Sequence, residues 1–308
     1  MRTVLIGAVE GSAVALRAMM DAGMPPALVV TLPLDRAAAH SDFADLGPLA
    51  GAAGARVLRV ARSDDPALLA ALRELAPDLV MAIGWSQLLG PELRAIPRLG
   101  VLGFHPAPLP RMRGRAVIPW QILTGQRQGG ATLFWIGEGI DDGPIAAQAV
   151  FPIDPDEITA RALYDRAVAE MAALLPPLLA DLAAGRMPAA VQDHDQATMC
   201  ARRRPQDGRI DWTAAGTRIE RLVRAVGEPY PGATTTLADG TPVRVNRARL
   251  HPREGYFVGL PGQVQQVGDG VATVMCGDGA CLDLLDWTTE GRITRHAMLG
   301  GGDHVPVG

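Results

Sequence analysis

The chain has 308 residues, 48% of them apolar, enough to bury a substantial core and to form two domains or one large α/β domain with an appendage. A formal charge of −4 and a pI near 5.9 give no global pull towards phosphate backbones or anionic membranes. The apolar run "AVAEMAALLPPLLADLAAG" is interrupted by Glu170, Asp181 and the Pro176-Pro177 pair, which excludes a membrane span and predicts a buried, kinked helix.

Met1 and Arg2 lead straight into "TVLIG" without a targeting pattern, so the cytoplasm is the expected location. Short apolar β-like runs then alternate with helical ones: "TVLIG", a helix around Ser12 to Ala22, "ALVVTL", "ARVLRV", a helix from about Pro66 to Leu75, "DLVMAIG" and "GVLGF". This is a βαβ pattern. It predicts a parallel sheet covered on both faces, with ligands beyond the carboxyl ends of its strands, where Trp85 and His105 fall. "IGAVEGS" lacks the G-x-G-x-x-G spacing and reads as a plain strand-to-helix turn.

Next comes "GFHPAPLPRMRGRAVIPW", residues 103–120. Pro106, Pro108 and Pro110 each fix φ and bias the preceding residue towards extended backbone, so His105 opens a stiffened loop. A helix "AVIPWQILTG", a strand "ATLFWI", an acidic loop "GEGIDDG" and a strand "PIAAQAVFPI" follow, the two strands reading as a hairpin around Asp141 and Asp142. His105 at a strand end and Asp141 in this hairpin, expected at one edge of the sheet, fit a base oriented by a carboxylate. Trp135 reads as a core aromatic.

A long helix starts near Ile158, after which residues 186–210 are polar, proline-bearing and weakly periodic, as in a linker. "TAAGTRIERLVRAVG" has helical spacing, and the remainder is a set of short strands cut by glycines, predicting a small β-barrel or sandwich. The domain reading is therefore 1–185, a linker at 186–210, and 211–308. Cys200, Cys276 and Cys281 match neither a disulfide framework nor a C-x-x-C pair, and the lone "DHD" at 193–195 reads as a solvated turn, so no metal is expected. The tail "RHAMLGGGDHVPVG" is expected to fray.

The segment 103–120 followed by "GGATLFWIGEGIDDGPIAAQ" resembles the formyltransferase family that uses 10-formyltetrahydrofolate, with its H-x-S-L-L-P-x-x-R-G segment, G-V-T and D-x-G loop. "RRRPQDGRIDW", "RLVRAVGEPYPGA" and "LPGQV" resemble the linker, helix and small C-terminal barrel of the tRNA- and amino-sugar-modifying members. The resemblance implies an α/β fold, a Rossmann-like parallel-sheet domain followed by an OB-like barrel, that carries a formyl group from 10-formyltetrahydrofolate to a primary amine. It assigns chemistry to His105 and Asp141, donor contacts to Trp85, Gln87, Leu88, Gly137, Gly139 and Ile140, and acceptor contacts to Arg113 and Arg115. Arg113 matches the family's R-G arginine, in a structural or active-site role.

The chain departs from the pattern in one place. The family's catalytic asparagine, two residues before the histidine, is Gly103 here, and the sole asparagine of the chain is Asn246, far downstream. Gln87 is the candidate for supplying the missing amide N–H; the alternative is a polar loop residue facing solvent. The expected acceptor is a small amine or a nucleotide-linked amino sugar, with methionyl-tRNA as the second choice and a folate- or amine-binding relative without efficient catalysis as the third. A membrane partner is not expected, and the layout allows a homodimer.

Overall fold

The computed structural model describes residues 1–39 and 42–300; the end of the tail expected to fray lies outside them. The chain divides into two compact units, one of residues 1–117, 127–153 and 164–201, the other of residues 118–126, 154–163 and 202–308.

The first unit is built on a seven-stranded sheet. In chain order its elements are β1 (Thr3–Ile6), α1 (Glu10–Asp21), β2 (Leu28–Thr31), α2 (Gly47–Ala52), β3 (Arg56–Arg59), α3 (Pro66–Leu75), β4 (Leu79–Ala82), α4 (Pro91–Arg94) and β5 (Val101–His105). Then come β6 (Arg113–Gly114), α5 (Val117–Leu123), β7 (Gln128–Trp135), β8 (Ile145–Pro152), α6 (Ala160–Ala183) and β9 (Met199–Cys200), of which α5 beyond Val117 and the first turn of α6 up to Leu163 cluster with the second unit. The sheet order is β3-β2-β1-β4-β5-β7-β8, with β1 to β5 all parallel, β7 antiparallel to them, and β8, antiparallel to β7, running in their direction again.

Alternation along the strands separates two apolar layers. Leu5, Val29, Leu79, Met81, Leu102, Leu133 and Trp135 face the side that receives α1 and α6. Val4, Ile6, Leu28, Val30, Val80 and Val101 face the side that receives Leu68, Leu69 and Leu72 of α3 and Leu93 of α4. The helix expected at Pro66 to Leu75 has those bounds, started by Pro66 at its first position and by the Asp65 side chain, which accepts the Ala67 N–H at 2.9 Å. Pro176 and Pro177 both lie inside α6, whose Met171, Leu175, Leu178, Leu179 and Leu182 are held in the core. No helix among the described residues is long and apolar enough to cross a membrane.

The second unit holds α7 (Gly216–Val226) and a five-stranded antiparallel sheet of β10 (Ala233–Thr236), β11 (Pro242–Leu250), β12 (Val264–Gly268), β13 (Val271–Met275) and β14 (Cys281–Thr289), ordered β10-β11-β14-β13-β12. The glycine-punctuated runs are thus strands of one antiparallel sheet. All three cysteines are free, and burial pushes the Cys276 thiol up to about 12 and the Cys281 and Cys200 thiols to about 11, which keeps them protonated and inert.

Of the segment 186–210, the part up to Ala201 belongs to the first unit and the part from Arg202 to the second. Its first half is tied down: Ala190 bridges to Ile145, the Pro188 carbonyl accepts the Trp135 indole N–H at 2.8 Å, and β9 pairs with β6.

Candidate active site

His105 is the last residue of β5, and the loop after it is fixed at several points. The Ala107 carbonyl accepts the Thr132 hydroxyl at 2.7 Å, and the Leu109 carbonyl accepts a Gln148 amide N–H at 2.8 Å. The chain turns so that the Met112 carbonyl meets His105 Nε2 at 2.7 Å. A carbonyl only accepts, so Nε2 carries the proton and Nδ1 is the basic nitrogen. That nitrogen faces Asp141 Oδ2 at 3.5 Å, an electrostatic approach too long for a hydrogen bond.

Asp141 reaches this position by an unexpected route. Because β7 runs antiparallel to β5, its end pairs Trp135 with Leu102, and Ile136 N–H donates to the Val101 carbonyl. The hairpin therefore leaves from the start of β5, not from the strand-end edge shared with His105, and its loop runs back along the strand to bring the carboxylate to the imidazole. Asp141 adopts φ +50°, and its Oδ2 accepts the Gly114 N–H at 2.8 Å. A Cβ at Gly139 would meet the Asp142 carboxylate, so a side chain there requires Asp142 to turn away.

The pair is unevenly buried. The His105 side chain is 6% exposed and that of Asp141 23%, so the carboxylate is the member an incoming ligand can touch. Burial holds the imidazole below its ordinary 6.5, while the Asp141 charge and the Met112 carbonyl pull the other way.

Arg113 is buried, with Nε and Nη2 donating to Gln192 Oε1 at 3.1 and 2.6 Å and Nη2 lying 3.3 Å from His194 Nδ1. Arg115 is exposed and donates to the Ser86 carbonyl at 2.7 Å, which ties the loop after β5 to the loop after β4. In that second loop Trp85 Nε1 donates to Ser63 Oγ at 2.9 Å, and Leu88 is 84% exposed. Gln87 donates to the Ala61 carbonyl at 2.8 Å and accepts the Ser63 N–H at 3.1 Å. Its amide is therefore engaged with the chain after β3, neither turned to solvent nor free for position 103. Gly137, Gly139 and the exposed Ile140 sit in the hairpin loop with Asp141.

At Gly103, a Cβ would stand 2.9 Å from Phe134 Cε1 and 3.0 Å from Ile136 Cγ1. An aromatic ring from the facing strand fills the space a carboxamide would need. Sequence reasoning missed Phe134 in this role, as it missed Gln192 and the Met112 carbonyl; the first reads as an ordinary strand residue and the second stands in a polar stretch.

A model of "Formyl transferase" matches residues 25–179 and one of "Formyl transferase, C-terminal domain" matches residues 203–297. The chain is 35% identical over 302 residues to a methionyl-tRNA formyltransferase of Anaeromyxobacter dehalogenans, covering 97% of this chain and 95% of the relative. Among solved structures, HypX from Aquifex aeolicus in complex with tetrahydrofolic acid shares the fold at TM-score 0.67 and 19% identity, over 92% of this chain and 43% of that one. An N-formyltransferase from Helicobacter canadensis, in complex with folinic acid and dTDP-3-aminofucose, does so at TM-score 0.66 and 16% identity, over 92% and 98%.

Proposed function

The chain belongs to the formyl transferase family, and from that premise we propose that it moves the formyl group of 10-formyltetrahydrofolate onto the α-amino group of methionyl-tRNA. It is an enzyme that transfers a formyl group; the donor, the acceptor and the residue roles below are our reading. The observation that carries it is the His105–Asp141 pair, a partly exposed carboxylate backed by a buried imidazole.

In this reading the amine attacks the formyl carbon, a C–N bond forms, and the tetrahedral adduct collapses by breaking the bond from that carbon to N10 of the donor. The amine loses one proton and N10 gains one. Asp141 takes the amine's proton on its exposed side, the basic Nδ1 of His105 behind it can share that proton while Nε2–H stays on Met112, and the proton passes to N10 as the bond to the formyl carbon breaks. The loops at 84–90 and 136–144 hold the donor, with the exposed Leu88 and Ile140 offering apolar contact to its ring system and Trp85, Gln87, Gly137 and Gly139 shaping the backbone around it. We place the catalytic domain in the first unit, residues 1–117, 127–153 and 164–201, and the protein in the cytoplasm.

The acceptor choice rests on two points. Both arginines expected to contact the acceptor are engaged within the protein, Arg113 on Gln192 and Arg115 on Ser86, and the 35% likeness to a methionyl-tRNA formyltransferase extends over nearly the full chain. The second unit also has a cleft of about 630 Å³ lined by Trp120, Arg203, Arg209, Arg218 and Arg221 together with Asp207 and Asp211, with the Arg203 guanidinium 5.2 Å above the Trp120 ring. Such a basic, aromatic-backed surface suits nucleic-acid phosphates.

A nucleotide-linked amino sugar is the second reading, supported by the fold shared with an N-formyltransferase in complex with dTDP-3-aminofucose. The test is formyl transfer from 10-formyltetrahydrofolate, read by mass gain, to methionyl-tRNA and to a dTDP-amino sugar in parallel. Transfer to methionyl-tRNA that weakens steeply with salt supports the first reading, and transfer to the sugar alone supports the second. Donor and acceptor binding without transfer to either would leave the protein a binder.

A further inference from the structure

We propose that residues 192–200 form a strap whose Gln192 and Thr198 set the geometry of the His105–Asp141 pair, each positioning one partner. The inference rests on reading that pair as the reacting groups. Neither family match reaches this segment, since one ends at residue 179 and the other begins at residue 203.

The pair cannot hold itself together. At 3.5 Å there is no hydrogen bond between imidazole and carboxylate, and Asp141 sits at φ +50°, where a residue with a side chain needs outside support. Gln192 provides it. This side chain is 3% exposed, and its Nε2 donates to the Asp141 carbonyl at 2.9 Å and to the Gly143 carbonyl at 2.7 Å. Its Oε1 accepts both contacts from Arg113. A carboxamide has two donors and two acceptor positions, and here all four are used, so the amide can sit in one orientation only. The Arg113 guanidinium thereby fixes which way the amide points, and the amide fixes the backbone on both sides of Asp142.

Thr198 acts on the other partner. Its hydroxyl oxygen accepts the Met112 N–H at 2.8 Å and its carbonyl accepts the Arg113 N–H at 2.8 Å, while Arg113 and Gly114 pair in parallel with Met199 and Cys200. Met112 is thus held in the pose in which its carbonyl takes the Nε2–H of His105. One short segment reaches the carboxylate through Gln192 and the imidazole through Thr198 and Met112. The titratable and cationic groups around it are Asp141 on the hairpin, Arg113 on β6 and His194 on the strap itself.

The test uses the full chain and four variants. Gln192→Met removes every bond of the amide; Gln192→Glu keeps the acceptor for Arg113 but loses the donor to the two carbonyls; Thr198→Val loses the acceptor for Met112; Asp141→Asn is the control. The His105 ring is titrated through its ¹⁵N signals, and formyl transfer from 10-formyltetrahydrofolate to methionyl-tRNA is followed in parallel. With Asp141 no longer held beside the ring by Gln192, the His105 midpoint in Gln192→Met moves down, in the direction that Asp141→Asn moves it. Gln192→Glu, which stays folded on its contact with Arg113, loses roughly 10- to 100-fold in kcat with donor KM little changed, the signature of misplacement without lost binding. Thr198→Val alters the Nε2 shift of His105. Wild-type titration and kcat in all the Gln192 and Thr198 variants, beside an impaired Asp141→Asn, would overturn the strap and leave the site reading standing. A silent Asp141→Asn would instead overturn the site reading beneath it.

Discussion

An imidazole that keeps its proton on a carbonyl and turns its basic nitrogen to a partly exposed carboxylate is arranged to share a proton that the carboxylate collects. His105→Ala and Asp141→Asn are therefore expected to lower kcat by roughly 100- to 10,000-fold while tetrahydrofolate binding, followed by calorimetry, persists. Asparagine tolerates positive φ about as well as aspartate, so Asp141→Asn should leave the melting temperature nearly unchanged, which separates chemistry from folding. The buried ring also has a stability consequence. With its folded value held below 6.5, the unfolded chain takes up a proton before the folded one as the pH falls. Stability drops from about pH 6.5 downward until the buried ring also titrates. Chemical denaturation across pH 5 to 7 should show this slope in the wild type and a flatter one in His105→Gln. At Gly103, the contacts with Phe134 and Ile136 mean that Gly103→Asn costs about 1–3 kcal/mol. Combining it with Phe134→Val should recover part of that loss, a coupling that a double-mutant cycle reads directly.

Among the elements, those whose signal is local were legible and those whose signal is a long-range partner were not. α3 shows its proline, its apolar spacing and its capping aspartate in the sequence itself, and Asp65→Ala is expected to cost about 1 kcal/mol in a denaturant melt. The parallel strands were equally plain, because a strand covered on both faces is a continuous apolar run. His105 and Asp141 were found through motif order, and the structure brings them together, yet the path of the hairpin was not. Nothing in "GEGIDDG" states that β7 runs antiparallel and that the loop must return along β5. Gln192 and Thr198 were invisible for a related reason: a polar residue whose partners are backbone carbonyls and amides leaves no periodic trace, and a segment of such residues looks like solvent-exposed chain. Gln87 misled in the opposite sense, a polar loop residue near the right strand whose amide is spent on Ala61 and Ser63.

For the whole molecule, the division into two units is not a single cut of the chain. Residues 118–126 and 154–163 cluster with the C-terminal unit, where Arg224 donates to the Ile158 carbonyl at 2.7 Å and Arg221 pairs with Asp156 at 2.9 Å. A chain ended after Ala201 keeps the strap and the site but strips these segments of their partners. It should melt at a lower temperature than the full chain and still bind tetrahydrofolate by calorimetry, whereas loss of binding in a folded truncation would place donor contacts beyond residue 201.

The position of the strap also orders events in time. A ribosome releases β5, the proline-stiffened loop and the acidic hairpin well before it releases Gln192 and Thr198, so a nascent chain already possesses both titratable groups while the clasp that aligns them is still being made. On the strap reading, the alignment of the pair is completed only by residues that follow α6 in the chain. A chain cut short before Gln192 is therefore expected to hold both groups unaligned and to transfer a formyl group roughly 10- to 100-fold more slowly than the finished protein.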